Sequence, residues 1–232
     1  ASVLLTSIAA WAQVVPEPAT GRVKREPFTA QRHMIVAAHS LASAAGFDIL
    51  DRGGSAIDAA IAAQMVLNVV EPQSSGVGGG AFLLHYSARE RRLRIFDGRE
   101  TAPKDATPAL FLDADGKPRR FFSAVVGGRA VGTPGVVAML EMAHRDLQGK
   151  RPWASLFAAA IAHAEEGFVV SPRLNALISR DRFLREDPGA RAVFFDDGGQ
   201  PLAVGARLHN RPLAASLRAI AAQGSKALRA GP

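Results

Sequence analysis

Arg99 is the residue whose type and position most directly suggest chemistry. It follows two strand-like runs, Ala81–Tyr86 and Leu93–Phe96, which a charged stretch separates as in a β-hairpin. A guanidinium binds a carboxylate through two parallel, charge-assisted hydrogen bonds, which arise from its fork-shaped arrangement of N–H groups. A turn that follows a rigid hairpin can hold such a side chain in a fixed position. The sequence offers two interpretations of this arginine. It binds a carboxylate-bearing substrate, or it is the structural ion-pair partner of Asp97 or Glu100.

The glycine run Gly76–Gly80 is in the wrong place for a nucleotide site. Phosphate-binding loops lie between a strand and the helix that follows, whereas here a predicted helix comes first and a strand second. Close backbone packing, which needs only the missing side chain of glycine, is the favoured interpretation. Ser74 and Ser75 precede this run without forming a Gly-x-Ser-x-Gly elbow, so a serine-hydrolase triad is disfavoured.

Metal and thiol chemistry have no support in the sequence. The chain contains no cysteine, which excludes disulfides, thiol catalysis and thiolate metal sites. Its six histidines show no paired ligand spacing. Glu165 and Glu166 are adjacent on a predicted helix and therefore point to different faces. We predict neither a metal site nor a cofactor.

Composition and charge indicate a globular protein with a basic surface. The 232 residues are 48% hydrophobic, which is ample for a core. The formal charge of +7 arises from 28 basic and 21 acidic residues that are spread along the chain rather than gathered in a stripe. We therefore predict a solvated basic surface and no nucleic-acid partner, with some of the charge able to steer carboxylate substrates.

The N-terminal segment predicts export. Residues 1–12 form an apolar run that ends in Ala10-Trp11-Ala12, a pattern typical of a signal-peptidase site, and we interpret them as a partial signal peptide. The run is too short to span a membrane. Residues 13–33 are interpreted as an extended lead-in. The predicted location is periplasmic or secreted, and an ordinary apolar tail is the alternative.

Helix and strand signals predict an α+β protein. Ser55 and Asp58 match the capping-box pattern, which starts a helix near Ala56, and Pro72 ends that helix. Phe121–Val126 is a predicted strand. Hairpins beside segregated helices are typical of the α+β class. The other predicted helices are Leu41–Arg52 with Ser40 as its cap, Gly135–Leu147, Trp153–Glu166, Ser171–Arg185, and Pro212–Gln223 with Asn210 as its cap.

Three stretches of the chain carry a recognisable combination of motifs: Gly53–Ala60, Val70–Gly80 and Arg99–Pro103. Together they resemble the gamma-glutamyltransferase (gamma-glutamyltranspeptidase, glutathione hydrolase) family of N-terminal nucleophile hydrolases, and the likeness extends from Met34 to about Gly224. The resemblance implies that residues 34–232 are the N-terminal portion of the large subunit. They would then form an incomplete part of an αββα sandwich, in which Arg99 holds the α-carboxylate of a gamma-glutamyl group.

The nucleophile of the resembled family is a threonine that autocatalytic cleavage frees as a new N-terminus. Its α-amine serves as base, its hydroxyl attacks the gamma-glutamyl carbonyl, and the acyl group passes to water or to an acceptor amine. None of the six threonines here has the family's cleavage context, so we expect the nucleophile to lie outside this chain, on the small subunit of the same precursor. We expect the chain alone to be inactive. A cephalosporin-acylase-like hydrolase of glutaryl amides and a non-catalytic binding module are the alternatives.

Overall fold

Helices and short strands follow one another along residues 27–228, the part of the chain that this computed structural model describes. All of them belong to the unit that starts at Gln31. The helices are α1 (Ser40–Asp51), α2 (Ala56–Val70), α3 (Phe121–Val125), α4 (Val136–Asp146), α5 (Ala158–Glu166), α6 (Pro172–Arg180), α7 (Pro188–Phe194) and α8 (Arg211–Gln223). The strands are β1 (Ala81–Ser87), β2 (Arg92–Gly98), β3 (Phe168–Val169) and β4 (Arg207–Leu208).

Helix α2 is the centre of the core. The predicted capping box starts it, because Ser55 Oγ accepts from the Asp58 amide while the Asp58 carboxylate accepts from the Ser55 amide at 2.7 Å. Most of its residues are buried, and it packs against α1, α4 and α5. A helix that is apolar nearly all round is stable in water only when neighbours surround it, as they do here.

Strands β1 and β2 form an antiparallel hairpin in which Leu84 lies opposite Ile95. The inner face packs on the core through Leu83 and Phe96. Gly98, the last residue of β2, lies against α4, where a β-carbon would be 2.9 Å from the Met139 sulfur. The outer face is also apolar but exposed, and its large side chains are Phe82, Leu84, Tyr86, Leu93 and Ile95.

A helical layer follows the hairpin along the chain. Helices α5 and α8 pack against each other, and α5 also packs on α2. Trp153, in a 3-10 helix that precedes α5, donates from its indole nitrogen to the Ile220 carbonyl of α8 at 3.1 Å. The short strands β3 and β4 pair antiparallel beside this layer. These contacts join the C-terminal half of the chain to α2.

The structure confirms most of the predicted helices and corrects one predicted strand. Phe121–Val126 is not a strand, because this run closes its own helical hydrogen bonds, from Ala124 to the Arg120 carbonyl at 3.0 Å and from Val126 to the Phe122 carbonyl at 3.1 Å. Among the strands of residues 27–228, none pairs with these apolar residues, so local helical bonds satisfy the backbone instead.

Several predicted boundaries also move. The N-cap of α1 is His39 rather than Ser40, because the His39 ring accepts from the Leu41 amide at 3.2 Å. The helix predicted to reach Arg185 ends at Arg180. Asp187 lies beyond that end and caps the next helix, α7, by accepting from the Ala190 amide.

The predicted signal peptide and residues 13–26 of the predicted lead-in lie outside the described residues. Residues 27–33 contain neither helix nor strand. Among the helices that the structure describes, none combines the length and the hydrophobicity needed to cross a membrane.

Candidate functional site

Arg99 lies on the turn that directly follows β2, as the sequence predicts. Its backbone amide donates to Asp97 Oδ1 at 2.9 Å, which tightens the turn. Its guanidinium Nη1 lies 3.2 Å from Glu100 Oε2, and 56% of its side chain is exposed. The guanidinium is therefore paired on one side and accessible to an anionic ligand from solvent.

Glu100 is more enclosed than its neighbour, with 28% of its side chain exposed. Its Oε2 atom is buried and meets Arg99 as an ion pair rather than through an aligned hydrogen bond. The side chain lies between the glycine run at Gly80 and the backbone at Gly132. Glu100 can therefore hold the guanidinium from the protein side while the rest of the fork faces outward.

The glycine run packs directly against the arginine turn. A β-carbon at Gly80 would lie 2.7 Å from the Gly98 carbonyl oxygen and 2.8 Å from Arg99 Cα. Backbone atoms cannot yield at such distances, so the turn needs glycine at this position. The close-packing interpretation of the run is thus the one that its surroundings support.

A third segment completes the surroundings of the turn. The Gly79 carbonyl accepts from the amides of Gly135 and Val136, both at 3.1 Å, at the start of α4. The Thr133 amide donates to the Thr101 carbonyl at 2.9 Å, and the two threonines form an isolated β-bridge. Residues 76–80, 97–101 and 132–136 therefore converge around Arg99, although they are far apart in the sequence.

The other candidate groups have structural partners. Ser75 bonds to side chains of α2. His144 Nε2 lies 3.2 Å from the buried Asp58 Oδ1 and 3.0 Å from the Arg151 carbonyl. Within residues 27–228, no group of three or more His, Cys, Asp or Glu side chains is placed to hold a metal ion.

His163 and Glu165, both on α5, have shifted pKa values. Burial lowers the pKa of His163, and the nearby His39 lowers it further, while Glu166 opposes both. A hydrogen bond from Arg218 lowers the pKa of Glu165. The first shift makes the layer sensitive to acid, and the second belongs to an exposed surface pair.

Sequence reasoning missed the buried polar side chains in the C-terminal half of α2 and at its C-cap, Glu71. Asn68 and Glu71 are almost fully buried, and Gln64 is half-buried beside them. Their spacing of four and three residues places them on one side of an otherwise apolar helix. Polar residues at helical spacing within such a helix were the signal that could have revealed them.

Comparison with known proteins agrees with this arrangement. The family model for gamma-glutamyltranspeptidase matches residues 42–232. A glutathione hydrolase proenzyme of Bacillus subtilis (strain 168) is 41% identical over 198 residues, which cover 85% of this chain and 33% of that protein. An acylase ACY 1 proenzyme of Pseudomonas sp. (strain V22) is 42% identical over 224 residues, which cover 94% of this chain and 39% of that protein.

A solved structure shows the same fold. The gamma-glutamyltranspeptidase of Helicobacter pylori aligns with a TM-score of 0.82 and 32% identity, over 89% of this chain and 58% of that chain. The α+β class is confirmed, and the aligned part spans only 33% and 39% of the length of the two curated relatives described above. With a family model that covers most of its length, this chain belongs to the gamma-glutamyltranspeptidase family, as the N-terminal part of the large subunit.

Proposed function

We propose that this chain supplies the carboxylate-binding part of a gamma-glutamyltransferase that cleaves gamma-glutamyl amides such as glutathione. The observation that supports the proposal is the Arg99 turn, on which an exposed guanidinium is supported by three converging backbone segments. The guanidinium would bind the α-carboxylate of the gamma-glutamyl group. A fixed fork orients the substrate because two parallel bonds define a plane as well as a distance.

The bond-breaking step would need a nucleophile from elsewhere in the precursor. In the proposed reaction, the hydroxyl of an N-terminal threonine on the small subunit attacks the gamma-glutamyl carbonyl, and the amine of the substrate leaves with a proton. Water or an acceptor amine then takes the acyl group and regenerates the threonine. This chain would bind and orient the substrate, so that the threonine attacks a carbonyl already held in place within the complex.

The role of Arg99 can be tested by replacement in the full-length enzyme. A charge-assisted hydrogen bond contributes about 1.5–3 kcal/mol, so Arg99→Ala should raise the KM for gamma-glutamyl-p-nitroanilide by roughly 10- to 150-fold. Arg99→Lys should recover only part of the loss, because lysine keeps the charge but not the fork.

Arg145→Ala is the matched control for this experiment. Arg145 is an exposed arginine on α4 that pairs with Asp146 at 3.0 Å. Its removal should leave KM unchanged. A KM for the Arg99→Ala enzyme that equals the wild-type value would contradict the proposed function.

An acylase acting on glutaryl amides is the second candidate, favoured by the 42% identity to the Pseudomonas acylase proenzyme. A glutaryl group keeps a carboxylate for Arg99 but lacks the α-amino group. Rates of the full-length protein on gamma-glutamyl and glutaryl amides of the same amine separate the two candidates. A full-length protein without activity on either would instead support a non-catalytic binding module.

We also propose that the protein is exported to the periplasm or the exterior. The apolar run that ends at Ala12 supports this proposal. N-terminal sequencing of the mature protein should then begin at Gln13, and a mature protein that retains residues 1–12 would refute the cleavage.

A further inference from the structure

A polar pair on α2 holds the start of the glycine run. Gln64 and Asn68 lie one turn apart on this helix, and Asn68 is only 3% exposed. Burying an amide among apolar residues is costly unless it is hydrogen-bonded, so a partner is expected for it. Asn68 has two such partners, Gln64 on the same helix and Ser75 from the loop outside it.

The three side chains form a closed triangle of hydrogen bonds. Gln64 Nε2 donates to Ser75 Oγ at 2.7 Å and to Asn68 Oδ1 at 3.1 Å. Ser75 Oγ in turn donates to Asn68 Oδ1 at 2.6 Å. Each hydrogen bond limits the freedom of the other two, so the serine hydroxyl is held at a defined point on a rigid helix.

The far end of the same loop meets the arginine turn. Ser75 immediately precedes the run, Gly79 binds the start of α4, and Gly80 packs against Arg99 Cα. Glycine residues between these points supply no side-chain contacts of their own that could fix the loop. The triangle and α4 therefore anchor the two ends of the loop that supports the turn, and Val77 between them packs against the core.

We propose that Ser75, held by Gln64 and Asn68, is a positioning residue that sets the direction of the Arg99 guanidinium toward the substrate carboxylate. This inference rests on the carboxylate-binding role of Arg99 proposed above. Ser75 does not touch the substrate. It acts by fixing the glycine run, and thereby the backbone on which Arg99 is mounted.

The test compares two donors on the full-length enzyme. One is gamma-glutamyl-p-nitroanilide, and the other is 4-aminobutyryl-p-nitroanilide, which lacks the α-carboxylate. Loss of a neutral hydrogen bond amounts to about 0.5–1.5 kcal/mol, so Ser75→Ala should raise the KM of the first donor by roughly 2- to 10-fold. If Ser75 affects only the binding of the α-carboxylate, the kcat for the first donor should change by less than about twofold. The KM and kcat for the second donor, which has no α-carboxylate, should likewise change by less than about twofold.

Two further variants give controls. Ser75→Thr keeps the hydroxyl and should restore the KM. Ser216→Ala removes an exposed serine of α8 that bonds to the Pro212 carbonyl at 3.2 Å, and it should change neither constant.

A double variant distinguishes a role of Ser75 in positioning Arg99 from a general loss of rigidity in the protein. If Ser75 acts through Arg99, then adding Ser75→Ala to an Arg99→Ala enzyme should raise KM no further. Equal losses on both donors, or additive losses in the double variant, would overturn the positioning role. If Arg99→Ala raises KM while Ser75→Ala leaves it at the wild-type value, the positioning role of Ser75 is refuted but the proposed function is not. If Arg99→Ala itself leaves KM unchanged, the proposed function is refuted.

Discussion

Replacing Asp58 should lower the stability of the fold strongly, although this residue lies in the first turn of α2 rather than at its centre. Its carboxylate is fully buried. Oδ2 accepts from the Ser55 amide and hydroxyl, both at 2.7 Å, and from the amides of Lys150 and Arg151 at 2.9 Å and 3.3 Å. One oxygen therefore starts α2 and also binds the chain that leads from α4 to α5.

The expected loss follows from these partners. Asp58→Ala leaves part-buried amides without their acceptor, at up to about 1–3 kcal/mol for each unsatisfied group, and removes a cap that contributes about 0.5–2 kcal/mol. We expect the free energy of unfolding to fall by about 4 kcal/mol or more, a large part of the 5–15 kcal/mol typical of a domain. Asp58→Asn retains one oxygen without the charge and should lose about half as much, since charge-assisted bonds are roughly twice as strong.

Urea unfolding of the full-length protein measures the loss, and hydrogen exchange locates it. Exchange at the amides of Lys150 and Arg151 should rise in the Asp58→Ala protein. Asp48→Asn is the control, because Asp48 is an exposed helix residue that pairs with Arg52 at 2.8 Å, and such pairs contribute only about 0–1 kcal/mol. Equal losses for Asp58→Ala and Asp48→Asn would refute the reasoning.

Two further predictions concern the loop and the helical layer. Gly80→Ala should raise the donor KM of the full-length enzyme because its β-carbon would meet the Arg99 turn, whereas Gly78→Ala, with open space around it, should not; equal effects would refute the steric argument. Because the folded state lowers the pKa of His163 below its usual 6.5, the unfolded chain binds the proton more readily, and stability should fall as pH drops below that value. His163→Gln should flatten the fall in urea-unfolding curves between about pH 7 and pH 5, and an unchanged slope would show that His163 is not responsible.

The elements that the sequence predicted correctly are those formed by residues close together in the chain. Ser55 and Asp58 are three residues apart, so their mutual bonds could be predicted from spacing alone. The hairpin that ends at the Arg99 turn could be predicted from two strand-like runs separated by a charged stretch. In both cases the partners are close in the chain. The interactions that stabilise these two elements are therefore local and can be predicted from the sequence.

The missed features depend on partners that are distant in the chain. Asp58 accepts from amides 92 and 93 residues away, and the spacing of a capping box contains no trace of that second role. The apolar run at Phe121 resembled a strand because strand preference was judged from composition alone. In the part of the chain that the structure describes, no strand pairs with this run. The triangle at Ser75 required the position of the loop relative to α2, which tertiary packing determines.

The apolar outer face of the β1–β2 hairpin affects which changes in length the chain can tolerate. Since both faces of the hairpin carry large apolar side chains, hydrophobicity alone does not select the observed register over one shifted by a single residue. Steric fit does so instead, through Gly98 against Met139 and Gly80 against the Arg99 turn. Insertions and deletions in natural variants should therefore accumulate at the hairpin tip, residues 88–91, whereas one residue inserted after Gly98 would redirect the guanidinium.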